Sequence, residues 1–369
     1  MGVLFLSVGA HSEWSRPFNF VARGCGHLPL LYAHEAASLN RRWGKDEFIA
    51  QMVKLLQQKR RQIPIVCPGH SRPLAEVQYC PSPSVNPNAS PTEPADHYLL
   101  ISACHDKLPM LRCGRSGNWI GTFEGHKGAT WSAKLSADGL LAATASADFS
   151  VKIWNAVTGD VVRTFDHKHV VKSVEFLRNS AWIATGGHEK LLRVFDLGSE
   201  ATAPLYQLQT DDVIRKIVEI PSNVVVWDVE TQARVATLHV SSSGVMDMEA
   251  SRGGTILTVA AGSKVHFFDT TSWTETSHVD MPIAFTEEGG ASLHPSLDRF
   301  IAGGSDTWVR VFGLDGALLE CHKGHHGPVR CLRYAPNGDS FATGSEDGTI
   351  RIWQTETAAD SSVSYATLE

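Results

Sequence analysis

The strongest constraint on this chain is a short unit of strands and turns that the sequence repeats. Its clearest copy runs from residue 324 to residue 354, GHHGPVRCLRYAPNGDSFATGSEDGTIRIWQ. Alternating apolar runs are separated there by 336–339 and by 345–348. Both separators are rich in Gly, Asn and Asp, which favour tight turns between strands. The unit is therefore read as an antiparallel sheet, and so small a sheet needs further copies beside it to bury its apolar face.

The copies recur along most of the chain. Residues equivalent to Trp353 stand 42, 41, 32, 41, 44 and 41 positions apart; they are Arg112, Trp154, Phe195, Trp227, Phe268, Phe312 and Trp353. A period of about 40 to 45 residues with Gly-His and Trp-Asp punctuation resembles the WD40 family of β-propellers. The resemblance implies an all-β, seven-bladed propeller over residues 62–356, with an extension before it (1–61) and a tail after it (357–369).

The two ends of the repeat region predict how the ring closes. Ile63 to Val66 precede Gly69-His70, in the position that the fourth strand of a blade takes in the other units. The chain after Trp353 is rich in Ala and Ser and has no comparable strand. We therefore expect Ile63 to Val66 to complete the seventh blade, which leaves no open sheet edge.

Two units depart from the pattern. In unit one, Cys80 to Asp96 contains five prolines and predicts a surface loop between the first two strands. In unit four, only Asp211 to Asn223 lie where a strand, a turn and a second strand belong, which is about nine to ten residues too few. We therefore expect an incomplete fourth blade, with its second strand absent or replaced by a distorted crossing, and unpaired backbone beside Trp227.

The extension before the ring carries none of the repeat pattern. Residues 46–61 have apolar positions at helical spacing and end on Lys59-Arg60-Arg61, so they predict an amphipathic helix. The chain starts with the apolar run MGVLFLSVGA, which has no basic residue ahead of it and is a weak match to a secretory signal peptide. The extension is expected to be partly helical or disordered.

Charge and cysteine usage limit the classes of partner and compartment. The formal net charge of −6 argues against a surface that neutralises phosphates, so RNA is expected to be met only indirectly. The 7 cysteines contain no C-x-x-C pair, which favours a reducing compartment and hence the cytoplasm and nucleus. No apolar run approaches the length of about 18 residues that a membrane span needs.

Buried polar residues recur at fixed positions in the units. In WD40 proteins a His, a Ser or Thr, an Asp and a Trp form a hydrogen-bonded clamp within one blade. The resemblance places that clamp on two sets of residues: His126, Ser146, Asp148 and Trp154, and His325, Ser345, Asp347 and Trp353. Ser, His and Asp together also suggest a hydrolase, but a set that recurs favours a structural clamp, because an enzyme needs one site.

The sequence offers no cofactor or metal site. Cys321, His322, His325 and His326 crowd together, but they lack the loop spacing of zinc modules, and the clamp already uses His325. No P-loop, G-x-G-x-x-G or H-E-x-x-H motif is present. We therefore predict a protein without enzymatic activity, cofactor or small-molecule substrate.

The predicted partner-binding residues lie at blade tips around the mouth of the channel, where propellers generally bind. In this family the exposed positions lie three and five residues after the clamp His and one before the clamp Asp. Applied to the units, that pattern selects His105, Trp131, Lys172, His188, Arg330 and Glu346. Trp and Arg are residue types enriched at binding hot spots.

Three stretches resemble one WD40 subfamily, the serine-threonine kinase receptor-associated proteins: residues 99–136, 147–176 and 323–354. The distinctive residues are PMLR in place of the Trp motif of unit one and DHKHVVK in place of a Gly-His pair. The resemblance implies a scaffold in the survival-of-motor-neurons complex, acting in spliceosomal snRNP assembly and mRNA splicing, and an adaptor in receptor-kinase signalling. The alternative is a similarity to propeller subunit i of translation initiation factor three.

Overall fold

The chain folds into strands and turns. The computed structural model describes residues 3–9, 63–80, 98–220, 227–228, 233–234, 245–285 and 289–355. The strands are β1 (Val3–Gly9), β2 (Ile65–Cys67), β3 (Leu74–Tyr79), β4 (Leu99–Cys104), β5 (Met110–Cys113), β6 (Trp119–Thr122), β7 (Thr130–Leu135), β8 (Leu141–Ser146), β9 (Ser150–Asn155), β10 (Val161–Asp166), β11 (Val171–Leu177), β12 (Trp182–Gly187), β13 (Leu191–Asp196), β14 (Tyr206–Gln209), β15 (Val213–Ile220), β16 (Trp227–Asp228), β17 (Ala233–Arg234), β18 (Val245–Ala250), β19 (Ile256–Asp269), β20 (Glu275–Phe285), β21 (Gly290–Leu293), β22 (Arg299–Gly303), β23 (Trp308–Gly313), β24 (Leu318–Lys323), β25 (Val329–Tyr334), β26 (Ser340–Ser345) and β27 (Ile350–Gln354). None of these ranges contains a helix, and so none contains one that could span a membrane.

The strands form seven antiparallel sheets, each of which is one blade. Their innermost strands contact one another in the order β3, β7, β11, β15, β18, β21, β25 and back to β3. This closed circuit confirms the predicted all-β propeller. The predicted helix over 46–61, most of the proline-rich loop and the tail over 357–369 lie outside the described residues.

The seventh blade closes as predicted. Strand β2, which precedes the first blade in the sequence, pairs antiparallel with β27, so that Ile65 faces Ile352 and Cys67 faces Ile350. The sheet order is β2, β27, β26, β25. The start of the repeat region thus pairs with residues 350–352 of the last blade and covers that part of its edge.

Unit four lacks a strand of its own, as expected, but the expectation that backbone is left unpaired beside Trp227 was wrong. In the described part of this segment, residues 211–220, the one strand is β15, and the position beside it is occupied by β1 from the start of the chain. Strand β1 pairs antiparallel with β15, Val3 with Ile220 and Gly9 with Val213, and also with β16, where Leu4 faces Trp227. The backbone beside Trp227 is therefore paired, and a distant segment supplies the strand that unit four lacks.

The fifth blade contains a hairpin inside β19. Its first half pairs with β18 and its second half with β20. The backbone N–H of Thr270 donates to the carbonyl of Thr255 at 3.1 Å, so the two ends of β19 lie side by side. Gly262, at a φ of 60°, lies at the bend, a conformation that glycine adopts without steric cost. This blade therefore also has four extended segments.

Apolar side chains fill the spaces between neighbouring blades. Leu111 of the first blade packs in one cluster with Leu135 and Trp154 of the second. Val309 of the sixth blade packs likewise with Trp353 of the seventh. A fully buried Leu or Phe side chain contributes about 1.5–3 kcal/mol, so these interfaces hold the ring together.

Candidate protein-interaction face

The predicted clamp of the second blade is present. His126 Nδ1 lies 2.8 Å from Asp148 Oδ2, and His126 Nε2 lies 2.7 Å from Thr144 Oγ1. The indole N–H of Trp154 donates to the same Thr144 oxygen at 2.8 Å. Because that oxygen accepts from the indole, its own proton is available to His126 Nε2, and Nδ1–H then donates to the carboxylate. All these buried polar groups are thereby satisfied.

The clamp hydroxyl was assigned to the wrong residue in both blades. It belongs to Thr144, not Ser146, and to Thr343, not Ser345: His325 Nε2 lies 2.8 Å from Thr343 Oγ1, to which Trp353 Nε1 donates at 2.9 Å. Ser146 instead donates to the carbonyl of Gly128 at 3.0 Å. Residues two apart on a strand share a face, so the hydroxyls of Thr144 and Ser146 lie on the same side of the strand. The Thr144 hydroxyl is the one that contacts the Trp154 indole.

A third clamp lies in the first blade, and sequence reasoning missed it. His70 Nδ1 lies 2.8 Å from Asp106 Oδ2, and His70 Nε2 lies 2.8 Å from Ser102 Oγ. Arg112 occupies the position of the Trp, is buried, and donates to the carbonyl of Gly117 at 3.2 Å and to that of Pro68. The Gly69-His70 pair was the available signal, but the proline-rich loop lengthens the spacing to the Asp.

Charged side chains along the channel are paired with one another. Lys134 Nζ lies 3.2 Å from both Glu76 Oε1 and Glu175 Oε2. Arg333 donates to the two carboxylate oxygens of Asp247 at 2.6 and 2.7 Å. Burial alone would raise the pKa of Glu76, but Lys134 and a second lysine hold it well below its usual range. These channel cations are therefore neutralised by carboxylates within the fold.

One concave region lies where the inner strands end. It is a cavity of about 470 Å³, lined among others by Glu175, Glu219, Glu249 and Arg333. Burial raises the pKa of Glu219 to about 6, and burial also raises those of Glu175 and Glu249. The carboxylates at this end make it a poor match for an anionic partner.

The other end of the channel, near the starts of the inner strands, carries the predicted partner-binding residues. The rings of His105 and Trp131 lie 4.4 Å apart, centroid to centroid, and Lys172 Nζ lies 2.8 Å from the centroid of the Trp131 ring. Burial, together with the smaller effect of the neighbouring guanidinium groups of Arg215 and Arg330, lowers the pKa of Lys172 to about 7. We call these five residues, His105, Trp131, Lys172, Arg215 and Arg330, the basic face.

His188 and Glu346 lie around this end of the channel. His188 stacks on His169 with centroids 5.1 Å apart, and its pKa is lowered by burial and then by Lys172. Glu346 is exposed, and its backbone N–H donates to the carbonyl of Pro328, two residues before Arg330. The ring contacts and charge interactions therefore join His105, Trp131, Lys172, His188 and Arg330 into one group. Glu346 is placed near this group by its backbone hydrogen bond to Pro328.

Arg215 belongs to the same cluster but was not predicted. It is exposed and lies on β15, near the start of the inner strand of the fourth blade. The sequence-based selection counted positions from a clamp His and Asp, and unit four has neither. The signal that could have found it is its place near the start of an inner strand, as with Lys172 and Arg330.

Comparison with known proteins agrees with the fold. The family model "WD domain, G-beta repeat" matches residues 117–155, 159–196 and 316–354. The chain is 38% identical over 305 residues to the serine-threonine kinase receptor-associated protein of Dictyostelium discoideum, covering 79% of this chain and 98% of the relative. Its identity to the Gallus gallus protein of the same name is 40% over 306 residues, covering 80% and 83% of the two chains.

A more distant similarity concerns the alternative raised by the sequence. The eukaryotic translation initiation factor 3 subunit I of Drosophila willistoni is 25% identical over 325 residues, covering 77% of this chain and 95% of the relative. Identity to this subunit is thus 25%, against 40% to the receptor-associated protein of Gallus gallus. The comparisons thus favour the receptor-associated proteins.

Proposed function

Because this chain belongs to the serine-threonine kinase receptor-associated protein family of WD40 propellers, we propose that it is a non-enzymatic adaptor that binds partner proteins through the basic face. A propeller is a rigid frame that presents side chains from several blades at the end of its channel. Adaptors need such a surface, since pre-organised side chains lose little entropy on binding.

One observation carries this proposal. Trp131, Lys172 and Arg330 come from the inner strands of three different blades and interact at one end of the channel. Trp and Arg are enriched among residues that dominate binding energy. The second and seventh blades, which carry Trp131 and Arg330, each contain a clamp.

For the cellular role, we propose membership of the survival-of-motor-neurons complex, in spliceosomal snRNP assembly and mRNA splicing, with a second role in receptor-kinase signalling. The sequence similarity over 99–136, 147–176 and 323–354 supports the first role, and the name of the relatives, serine-threonine kinase receptor-associated protein, supports the second. We propose that the protein works in the cytoplasm and nucleus. It would meet RNA through partner proteins, in keeping with its net charge of −6.

Affinity purification of the tagged full chain, with and without ribonuclease, tests this role. We expect proteins of an RNA-processing assembly to co-purify in a ribonuclease-resistant manner. Recovery of translation initiation factor 3 subunits instead would favour the alternative family, and loss of all partners after ribonuclease would overturn the adaptor proposal. Lys264→Ala, a change of a partly exposed lysine on the fifth blade, serves as the charge-matched control for basic-face variants.

A further inference from the structure

We infer that the outer edge of the fifth blade holds a binding site for a divalent transition-metal ion of the zinc class, formed by His266, Glu275 and His278. His266 lies on β19, and the other two lie on β20, the last strand in the order of this sheet. Their ligand atoms, one from each residue, all lie within 4.8 Å of one another. The inference does not depend on the adaptor function, because none of these residues belongs to the basic face.

The backbone of the β19–β20 pair brings the three side chains together. His266 and His278 are directly opposite each other in the ladder, so they share one face of the sheet. The register shifts between Phe267 and Phe268, and Glu275 lies opposite Phe268, beyond that shift. A bulge re-aims a side chain, and here it places Glu275 on the same face as the histidines. Sequence spacing did not predict this group, because the bulge decides which face Glu275 occupies.

The three donor groups match what zinc-class ions prefer. Two imidazole nitrogens and one carboxylate oxygen are a set that binds zinc with a fourth position left open. Glu275 Oε1 lies 2.9 Å from His266 Nδ1 and 2.8 Å from His278 Nδ1. In a tetrahedral site with bonds of about 2.0–2.1 Å, ligand atoms are about 3.3 Å apart, so each contact lengthens by about half an ångström when the ion replaces the shared proton. Mg²⁺ takes oxygen ligands instead.

The site combines one buried ligand with two accessible ones. The His266 side chain is 7% exposed, whereas those of Glu275 and His278 are 38% and 44% exposed. An ion can therefore reach the cluster from solvent, and the buried ring limits the geometry in which it is held. Lys264 Nζ lies 3.0 Å from His278 Nε2, the ring nitrogen that does not contact Glu275. Its ammonium group thus lies on the far side of the ring, and its charge opposes binding of a cation.

The propeller repeat does not require this histidine pair. The position of His266, two residues before the equivalent of Trp353, carries a long cationic side chain in four other blades: Lys152, Arg193, Arg310 and Arg351. Their partners on the neighbouring strand are Thr164, Gln207, Cys321 and Val66. Features that support the fold recur from blade to blade, as the clamps do. Among the described strands, a directly paired His–His at this position is confined to the fifth blade.

A second group of possible metal ligands in the described part of the chain is His70, Cys104 and Asp106. It belongs to the clamp of the first blade, where His70 is engaged at both ring nitrogens, by Ser102 and Asp106. The Cys104 thiol donates to the carbonyl of Arg72 at 3.1 Å. Those contacts give that group a structural role, whereas the group on the fifth blade has no role in a clamp.

Isothermal titration calorimetry tests the inference on the full chain, carrying no polyhistidine tag and freed of metal with a chelator that is then dialysed away. The titrants are Zn²⁺ and Mg²⁺. We expect Zn²⁺ to bind at one ion per chain and Mg²⁺ to give no binding, because imidazole nitrogen is a poor ligand for Mg²⁺. In ¹⁵N NMR spectra, Zn²⁺ is expected to shift the Nδ1 resonances of His266 and His278.

Variants assign the ligands. Glu275→Gln keeps a hydrogen-bond acceptor without the charge, and His278→Gln removes an exposed ring. Each should weaken Zn²⁺ binding at least about tenfold, a loss that even the outer partners of metal ligands cause. Lys264→Ala removes the opposing charge and should tighten binding a few-fold. The matched control is His169→Gln, which removes an exposed histidine just before β11 and should leave the affinity unchanged.

Three results would overturn the inference: Zn²⁺ binding no tighter than Mg²⁺ binding, an affinity for Zn²⁺ that Glu275→Gln and His278→Gln both leave unchanged, or an equal loss in His169→Gln and His278→Gln. Melting temperatures measured without Zn²⁺ show whether the variants are folded. Lys264→Ala keeps all three ligands, so tighter binding by this variant supports the site even if a ligand variant is less stable. Weaker binding by it would contradict the site.

Discussion

The indole N–H of Trp154 and the hydroxyl of Thr144 are joined by a hydrogen bond of 2.8 Å, and this bond fixes the outer end of the clamp to the strand beside it. The same oxygen lies 2.7 Å from His126 Nε2. One hydroxyl thus satisfies two buried rings. The clamp of the seventh blade repeats the arrangement with Thr343.

Removing that hydroxyl should cost more than removing its neighbour on the same strand. Thr144→Val keeps the shape but leaves the Trp154 N–H and His126 Nε2 without partners, so we expect a loss of about 2–4 kcal/mol of unfolding free energy. Ser146→Ala breaks bonds to backbone groups and should cost about 1 kcal/mol. Urea denaturation of both variants gives the comparison. Equal losses would mean that the clamp does not centre on Thr144.

Two residues of the seventh blade, the buried Trp353 and Arg330 of the basic face, should respond differently to substitution. Trp353 is 1% exposed, so Trp353→Ala removes a large core side chain and should destabilise the fold by about 3–5 kcal/mol. Arg330→Ala should change stability by less than about 1 kcal/mol and weaken partner binding. Thermal melts and co-purification of the two variants check both parts. A similar loss of melting temperature in the two would contradict the assignment of the basic face to the surface.

The fourth blade should depend on the first residues of the chain. Leu6→Pro removes the N–H of a residue paired with Ile217 in β1 and should lower stability by about 3 kcal/mol. Leu6→Val, which keeps a strand-favouring residue at the same position, should have little effect. Differential scanning calorimetry distinguishes them. If the proline variant melts like the parent chain, β1 is not a working part of the blade.

The pKa of His105 should report on the basic face. Burial, together with the positive charges of Arg330 and Lys172, lowers it to about 4, because a further positive charge beside them is unfavourable. Removing the guanidinium in Arg330→Ala should therefore raise the pKa of His105. Since the unfolded value is 6.5, the neutral ring supports the fold fully above that pH, and this contribution is lost as pH falls towards 4.

An NMR titration of the imidazole protons measures this shift. The Lys264→Ala variant should leave the titration of His105 unchanged. A His105 that titrates near 6.5 in the parent chain, or one unaffected by Arg330→Ala, would show that the ring and the guanidinium do not interact.

The local sequence pattern was enough to predict the blades and to locate two of the clamps. The spacing from His126 to Asp148 and Trp154 recurs from His325 onward, and each residue lies within one blade. The choice between Thr144 and Ser146 was beyond the pattern, because both point inward from the same strand. Only the packed position of the indole selects the threonine.

Long-range pairing was not readable from the sequence. Strand β1 lies more than 200 residues before β15, its partner, and nothing in the run VLFLSVG specifies which sheet it joins. Its apolar, strand-favouring composition was the only signal. Arg215 was missed for a related reason, because its blade lacks the His and Asp from which positions were counted.

Charge reversal on the basic face tests the central claim most directly. We expect Lys172→Glu with Arg330→Glu, introduced into the tagged full chain, to abolish co-purification of the partner proteins while the melting temperature stays within a few degrees of the parent. Lys264→Glu, which reverses a charge on the fifth blade, should retain them. Full recovery of the partners by the double variant, measured by quantitative mass spectrometry, would contradict the assignment of this face as the adaptor surface.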